Sequence, residues 1–208
     1  MAYHLISGFV EYLTRKEEFF VIIVGLDNAG KTTLLEKIKT TYNKTPGLDP
    51  SKIGPTVGQN IGKITLPSSI LQFWDLGGQR DIRNIWVKYY ESCHAVAYVV
   101  DASDLERLAE GWEVFDSVLN HPRIVGLPLL LLANKQDLPS SLTVEQIRAN
   151  YEEWWQLRNQ EHAHRLGRQR VDERRMASLN VIGVSALDGT GIAEAVDWLF
   201  LRVQNSRQ

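Results

Sequence analysis

The run FFVIIV at Phe19–Val24 is apolar and partly β-branched, and it breaks off into GLDNAGKT, Gly25 to Thr32. No other feature limits so sharply what this chain can fold into. A strand that ends in G-x-x-x-x-G-K-[ST] and restarts as a helix holds phosphate. The glycines let the backbone wrap closely, successive amides point at the same oxygens, and the following helix presents its positive end. On this pattern Gly25, Asp27, Asn28, Ala29, Gly30, Lys31, Thr32 and Thr33 form a phosphate cradle, with Lys31 reaching the β and γ phosphates and the Thr32 hydroxyl ligating Mg²⁺. The plainer alternative is a turn whose glycines are only conformational. Strand, loop and helix signals all agree here, which weighs against it.

Short apolar runs alternate with amphipathic stretches along the rest of the chain, the pattern of an α/β fold. Strands are expected at Phe19–Val24, Gln59–Leu66, Ile70–Asp75, Ala95–Val100, Leu127–Ala133 and Asn180–Val184. Helices are expected at Lys31–Thr40, Ile82–Glu91, Leu105–Leu119, Val144 to Trp154 and beyond, and Gly191–Val203. Pro67, Ser68 and Ser69 mark a tight turn, so strands two and three form an antiparallel hairpin, while the other connections pass through helices and imply parallel pairing. With 208 residues, 44% of them hydrophobic, the chain can bury one full core. A net charge of −2 gives no global case for nucleic acid or an anionic membrane. The lone Cys93 cannot form an internal disulfide, no leader is evident, and no apolar run approaches the ~18 residues of a transmembrane helix. An intracellular protein, soluble or surface-attached, is the expectation.

A phosphate loop does not name the base. NKQD, Asn134 to Asp137, directly follows the apolar run LPLLLLA. A carboxylate accepts two hydrogen bonds from the N1 and N2 groups of guanine, a donor pair adenine lacks, so Asp137 selects the base. Lys135 lays its stem along the ring and Asn134 ties the loop to the phosphate loop. Ser185, Ala186 and Leu187, after the last strand, bring a backbone amide to the guanine O6. In FWDLGGQR, Phe73 to Arg80, Asp75 holds Mg²⁺ through a water, the Gly78 amide donates to the γ phosphate, and Gln79 orients the attacking water. An amide is no base, so its work is alignment. Thr56, in PTVGQN, closes over Mg²⁺ and γ phosphate from a loop rich in turn formers, Thr41 to Pro55.

GLDNAGKTT, PTVGQN, FWDLGGQ, IRNIWVKYY, VVDASD, LLANKQD and VSALDGTGI together resemble the ADP-ribosylation factor family of small GTPases over nearly the whole chain. HLISGFVEYL and the long loop before Thr56 resemble the ADP-ribosylation-factor-related subgroup, whose members act at the trans-Golgi. The resemblance implies a P-loop small G-domain at residues 18–208, with a six-stranded, mostly parallel sheet, one antiparallel edge hairpin and helices on both faces. It also implies an N-terminal amphipathic helix at residues 1–17. The implied activity is a GTP/GDP switch with Mg²⁺, monomeric and slow to hydrolyse GTP, serving Golgi vesicle traffic. Its implied partners are an exchange factor, a GTPase-activating protein, effectors and an integral Golgi membrane receptor for the N terminus, and its implied location is cytoplasmic, peripheral on Golgi membrane in the GTP state. The family slips its hairpin by two residues between nucleotide states, which keeps inward side chains inward; Gly58 and Gly62 are compatible with this. Its effectors read a cluster resembling Trp74 and Tyr89 plus an aromatic, where this chain has Gln59.

Two regions depart from the family pattern. Leu5, Ile6, Phe9, Val10 and Leu13 form one apolar stripe at helical spacing, yet Ala2 stands where a myristoylated glycine would be needed, and QNSRQ is no prenylation box. Receptor recognition of the N terminus is expected instead. Arg158 to Arg175 carries six arginines against three acids and reads as a solvated helix extension; His162 and His164 diverge on a helix and do not form a metal pair. Arg83 is a candidate catalytic arginine in cis, or a surface residue. A nucleotide-locked adaptor without useful hydrolysis is the alternative reading, and an ATP-using enzyme a third, which Asp137 disfavours.

Overall fold

The computed structural model describes residues 16–166 and 179–206, with side chains as far as Arg158 in the first segment. Its sheet contains β1 (Glu17–Val24), β2 (Gln59–Thr65), β3 (Ser69–Leu76), β4 (Ala95–Asp101), β5 (Leu129–Asn134) and β6 (Asn180–Gly183), in the spatial order β2-β3-β1-β4-β5-β6. Only β2 and β3 pair antiparallel; every other pairing is parallel. The helices are α1 (Lys31–Asn43), α2 (Val87–Tyr90), α3 (Leu108–Leu119), α4 (Val144–Leu166) and α5 (Ile192–Asn205).

Alternation along β1 builds both layers of the core. Phe19, Val21 and Ile23 face α1 and α5, packing with Leu34, Leu35, Val196 and Leu199. Ile22 and Val24 face the opposite layer, among Trp112, Phe115, Ile147 and Tyr151. A central strand buried on both faces explains why its sequence is an unbroken apolar run. Such strands end at one edge of the sheet, and in open parallel sheets the ligand crevice lies outside those carboxyl ends.

Several expected boundaries move. The expected helix Ile82–Glu91 is a 3₁₀ helix at Arg80–Trp86 followed by the single α-helical turn of α2. The Trp86 indole donates to the Gly77 carbonyl at 2.9 Å and draws this segment back onto the sheet. The helix expected from Leu105 begins as 3₁₀ and becomes α-helical only at Leu108. β5 starts at Leu129, after Pro128, which has no N–H to give a ladder, although its carbonyl accepts from Val96 at 2.9 Å. β1 begins at Glu17, one residue before the expected domain boundary. Ala2, the stripe from Leu5 to Leu13 and residues 167–178 of the charged segment lie outside the described residues, as do the side chains of His162 and His164.

Gly62 lets α1 lie close on the edge hairpin. It pairs with Phe73, and a Cβ built on it would stand 2.5 Å from Leu35 Cδ1 and 3.0 Å from Lys39 Cδ. Gly62→Val drives two methyls into that contact and is expected to cost about 1–3 kcal/mol by overpacking, read as a lower urea midpoint at unchanged slope. An unchanged midpoint would mean that α1 does not seat on β2.

Candidate functional site

The carboxyl edge of β1 passes directly into the phosphate loop. Gly25 has φ 141° and lies so close to the Val99 backbone that a Cβ would collide with its carbonyl, so the sharp exit needs glycine. Asn28 and Gly30 are also left-handed, at φ 62° and 90°. Gly30 is the N-cap of α1 and offers no side-chain cap, which leaves the first amides of α1 for an anion. A cavity of about 290 Å³ opens here, lined by Asp27, Asn28, Gly30, Lys31, Thr32 and Thr33 from the loop, and by Thr56, Gly78 and Gln79 from facing segments.

Lys31 is buried, and its ammonium donates to the Leu26 carbonyl at 2.6 Å. Burial pushes its pKa down to about 8, against the attraction of Asp75 and Asp27. Burial likewise raises the Asp75 pKa, opposed by the Thr32 hydrogen bond and by Lys31. A desolvated cation and a desolvated carboxylate at one strand edge mark a place built for further charge.

The donors around Asp75 fit a cation. The Thr32 hydroxyl donates to Asp75 Oδ2 at 2.6 Å and stands 2.8 Å from the Thr56 hydroxyl, which is 3.3 Å from the same oxygen. Asp75 Oδ1 is buried with no hydrogen-bond partner among the described residues. Two neutral hydroxyls and one carboxylate beside a phosphate loop fit Mg²⁺, a hard cation that keeps waters and takes its remaining oxygens from phosphate. In the described residues no cluster of three or more His, Cys, Asp or Glu forms a competing all-protein metal cage.

Asn134, at the expected base edge, is 1% exposed. Its Nδ2 donates to the Ala29 carbonyl at 2.7 Å, and its Oδ1 accepts from the Ala186 amide at 3.0 Å. One side chain thus joins the phosphate loop to the loop after β6. Lys135 holds a left-handed turn, φ 68°, and its ammonium pairs with Asp101 Oδ2 at 2.5 Å. Although burial opposes the charge, Lys135 and Ser103 hold the Asp101 carboxyl below its usual range. Asp137 is exposed, and the buried Ser185 hydroxyl donates to its Oδ1 at 2.7 Å. That contact orients the carboxylate while leaving acceptor capacity for a purine edge. Leu187 is exposed on the same loop, and its carbonyl accepts from Lys37 at 3.0 Å.

Every candidate residue read from the sequence falls on this one sheet edge, and the folded chain adds several that the motifs do not announce. Glu36, 5% exposed on α1, accepts from the Leu48 amide at 3.3 Å and so fastens the long loop that carries Thr56. Asp101 steers Lys135, and Trp86 anchors Gly77. Arg107 donates to Asp27 Oδ1 at 2.8 Å and neutralises a carboxylate in the phosphate loop itself. Such partners depend on tertiary approach, which spacing does not encode. The expected surface cluster is also assembled: Trp74 stacks on Phe20 at 5.0 Å and meets Tyr89 edge-on at 5.3 Å, with Ile61 exposed opposite Trp74 and Gln59 exposed at the end of β2.

Asn134→Ala would leave the Ala29 carbonyl and the Ala186 amide unpaired, each at a cost of about 1–3 kcal/mol. Affinity for GDP and GTP is expected to fall together, by roughly ten- to a hundredfold. Fluorescent-nucleotide titration measures both, and a loss confined to one of the two nucleotides would contradict the shared tie.

The sequence pattern described as the ADP-ribosylation factor family matches residues 6–203. ADP-ribosylation factor-related protein 1 of Homo sapiens is 40% identical over 95% of this chain and 90% of its own length. ADP-ribosylation factor-like protein 3 of Saccharomyces cerevisiae is 38% identical over 99% of this chain and 96% of its own. Among solved structures, a small GTPase of Trypanosoma brucei with bound nucleotide analogue GppNp superposes with a TM-score of 0.69 at 24% identity, covering 91% of this chain and 99% of that one, a likeness of fold. By its motifs, its fold and its full-length similarity to these relatives, the chain belongs to the ADP-ribosylation factor family of small GTPases, GTP-binding switches that hydrolyse GTP.

Proposed function

We propose that the chain is a Mg²⁺-dependent switch for Golgi and trans-Golgi vesicle traffic, recruited to the membrane surface in its GTP state. The observation that carries the switch reading is the convergence of Thr32, Thr56 and Asp75, residues 24 and 43 positions apart, within hydrogen-bond distance beside the phosphate loop. In this arrangement the first-switch loop lies over the site, and the γ phosphate with its cation would hold it there.

When bound, Mg²⁺ would neutralise charge on the phosphates. The roles of the chain's own residues follow from their positions. Thr32 and Thr56 would hold the cation through their hydroxyl oxygens, and Asp75 would hold it through a water. The loop amides from Asp27 to Thr33, with Lys31, hold the phosphates. Asn134, Lys135, Asp137 and the Ser185–Leu187 loop hold guanine. Gln79, exposed at the rim of the cavity, orients the attacking water, and the Gly78 amide meets the γ phosphate. Intrinsic hydrolysis is slow, and an activating protein supplies a further factor of roughly 10³ to 10⁵.

Near full-length likeness to ADP-ribosylation factor-related protein 1 supports the Golgi reading. The partners are an exchange factor, an activating protein, effectors that read the Trp74 and Tyr89 patch, and an integral Golgi membrane protein that receives the N terminus. Gln59 beside that patch favours effectors offering a hydrogen-bond group over those of relatives with an aromatic there. The chain works as a monomer, without nucleic acid.

Asp137→Asn replaces two acceptors with an amide that can donate, so preference should move from GTP toward xanthosine triphosphate, whose 2-oxo group accepts. Competition against a labelled nucleotide measures it, and unchanged GTP preference would remove Asp137 from the base site. Gln79→Leu should bind GTP normally but hydrolyse it at least tenfold more slowly, about 1.4 kcal/mol of barrier. Equal single-turnover rates, even with an activating protein, would favour a nucleotide-locked adaptor.

A further inference from the structure

Three successive carbonyls of the second switch are tied down by the segment that follows them. Gly77 O accepts from the Trp86 indole at 2.9 Å, Gly78 O from Arg83 Nε at 2.6 Å, and Gln79 O from the Ile82 amide at 3.1 Å. The Ile82 amide bond is the ordinary start of a 3₁₀ helix, and the Trp86 indole is a buried side-chain anchor. The Arg83 contact is different, because it spends a guanidinium on a backbone oxygen beside a site that handles phosphate.

Arg83 is held in place by a charge network. Its Nη2 donates to Glu110 Oε1 at 2.8 Å and lies 3.7 Å from Asp27 Oδ1. Glu110 also meets Arg107 Nε at 3.4 Å, and Arg107 Nη2 donates to Asp27. Two cations and two carboxylates balance, and the Arg83 side chain is 14% exposed. Gly78 and Gln79 line the phosphate cavity, and Arg83 is not among its lining residues.

The carbonyl of Gly78 belongs to the same planar peptide as the Gln79 amide nitrogen, so fixing one fixes the other and with it the root of the Gln79 side chain. Gly77 and Gly78 leave that peptide otherwise free to rotate. We propose that Arg83, held by Glu110, is a positioning residue for GTP hydrolysis: it sets the Gly78–Gln79 peptide and thereby aims the Gln79 carboxamide, instead of reaching the phosphates as an arginine finger. This rests on the reading of Gln79 as the water-orienting residue.

The two roles predict opposite signs at Glu110, a residue that lies outside the phosphate cavity. Releasing a finger would raise hydrolysis, whereas releasing a positioning arginine lowers it. The test is single-turnover hydrolysis of preloaded GTP with Mg²⁺ by the full chain and its variants. Arg83→Ala is expected to slow hydrolysis about tenfold, and Glu110→Ala severalfold, consistent with loss of one charge-assisted hydrogen bond. The double variant should be no slower than Arg83→Ala alone, because both act through one contact. Glu110→Gln keeps the acceptor and should stay within about threefold of the parent. GTP affinity should stay within about threefold in all four, which separates positioning from damage to the nucleotide site. Faster hydrolysis in Glu110→Ala, an unchanged rate in Arg83→Ala, or multiplied losses in the double variant would each overturn the proposal. If the parent chain itself failed to take up GTP, the underlying nucleotide reading would fall instead. Should Glu110→Ala not fold, Glu110→Gln carries the same sign test: a rate well above the parent's marks a finger.

Discussion

The site depends on one amide. Asn134 sits at the end of β5, where its two polar atoms reach the Ala29 carbonyl in the phosphate loop and the Ala186 amide beyond β6. Those loops are joined by no covalent path shorter than a hundred residues, yet this side chain makes them one body. A ligand that spans phosphate and base therefore meets a preorganised clamp, and its binding energy need not be spent on bringing the halves together. The exposed Asp137 and the oriented phosphate-loop amides can stay where the sheet puts them.

Against this fixed clamp the two switch segments are lightly tethered. The long loop before β2 is mostly exposed and is fastened by Glu36 at Leu48 and by Thr56 at its far end. The second switch is fastened at Gly77 and Gly78 by side chains of its own following helix. Its exposed length and few fastenings place the first of these segments at the low end of local stability, while the second hangs on a handful of specific side-chain bonds. On the proposed function, loss of the γ phosphate would release them without loosening the β-sheet. The charge network of Asp27, Arg83, Arg107 and Glu110 crosses that divide, linking a residue of the clamp to the backbone of a switch.

Much of this was legible in the sequence because the responsible signals are local. Gly25 and Gly30 announce a strained loop, the unbroken apolar runs of β1, β4 and β5 announce buried parallel strands, and Asn134 and Asp137 follow such a run directly. The sequence after Gln79 predicts an α-helix, whereas the segment is mostly 3₁₀, because Trp86 and Arg83 answer to backbone carbonyls across the turn instead of to helical period. Glu36 and Arg107 were invisible for the same reason. Their partners lie twelve and eighty residues away, and a single charged residue, whether on α1 like Glu36 or in the turn before α3 like Arg107, carries no mark of the loop it holds.

Hydrogen exchange of the Mg²⁺-loaded protein in two nucleotide states tests most directly whether a rigid clamp carries releasable switches. With a non-hydrolysable GTP analogue in place of GDP, amides of residues 44–58 and 77–90 should gain protection, while those of 25–33, 134–138 and 185–189 should exchange alike in both states. Equal exchange of residues 44–58 in the two states, or a change of similar size across all five segments, would contradict the account.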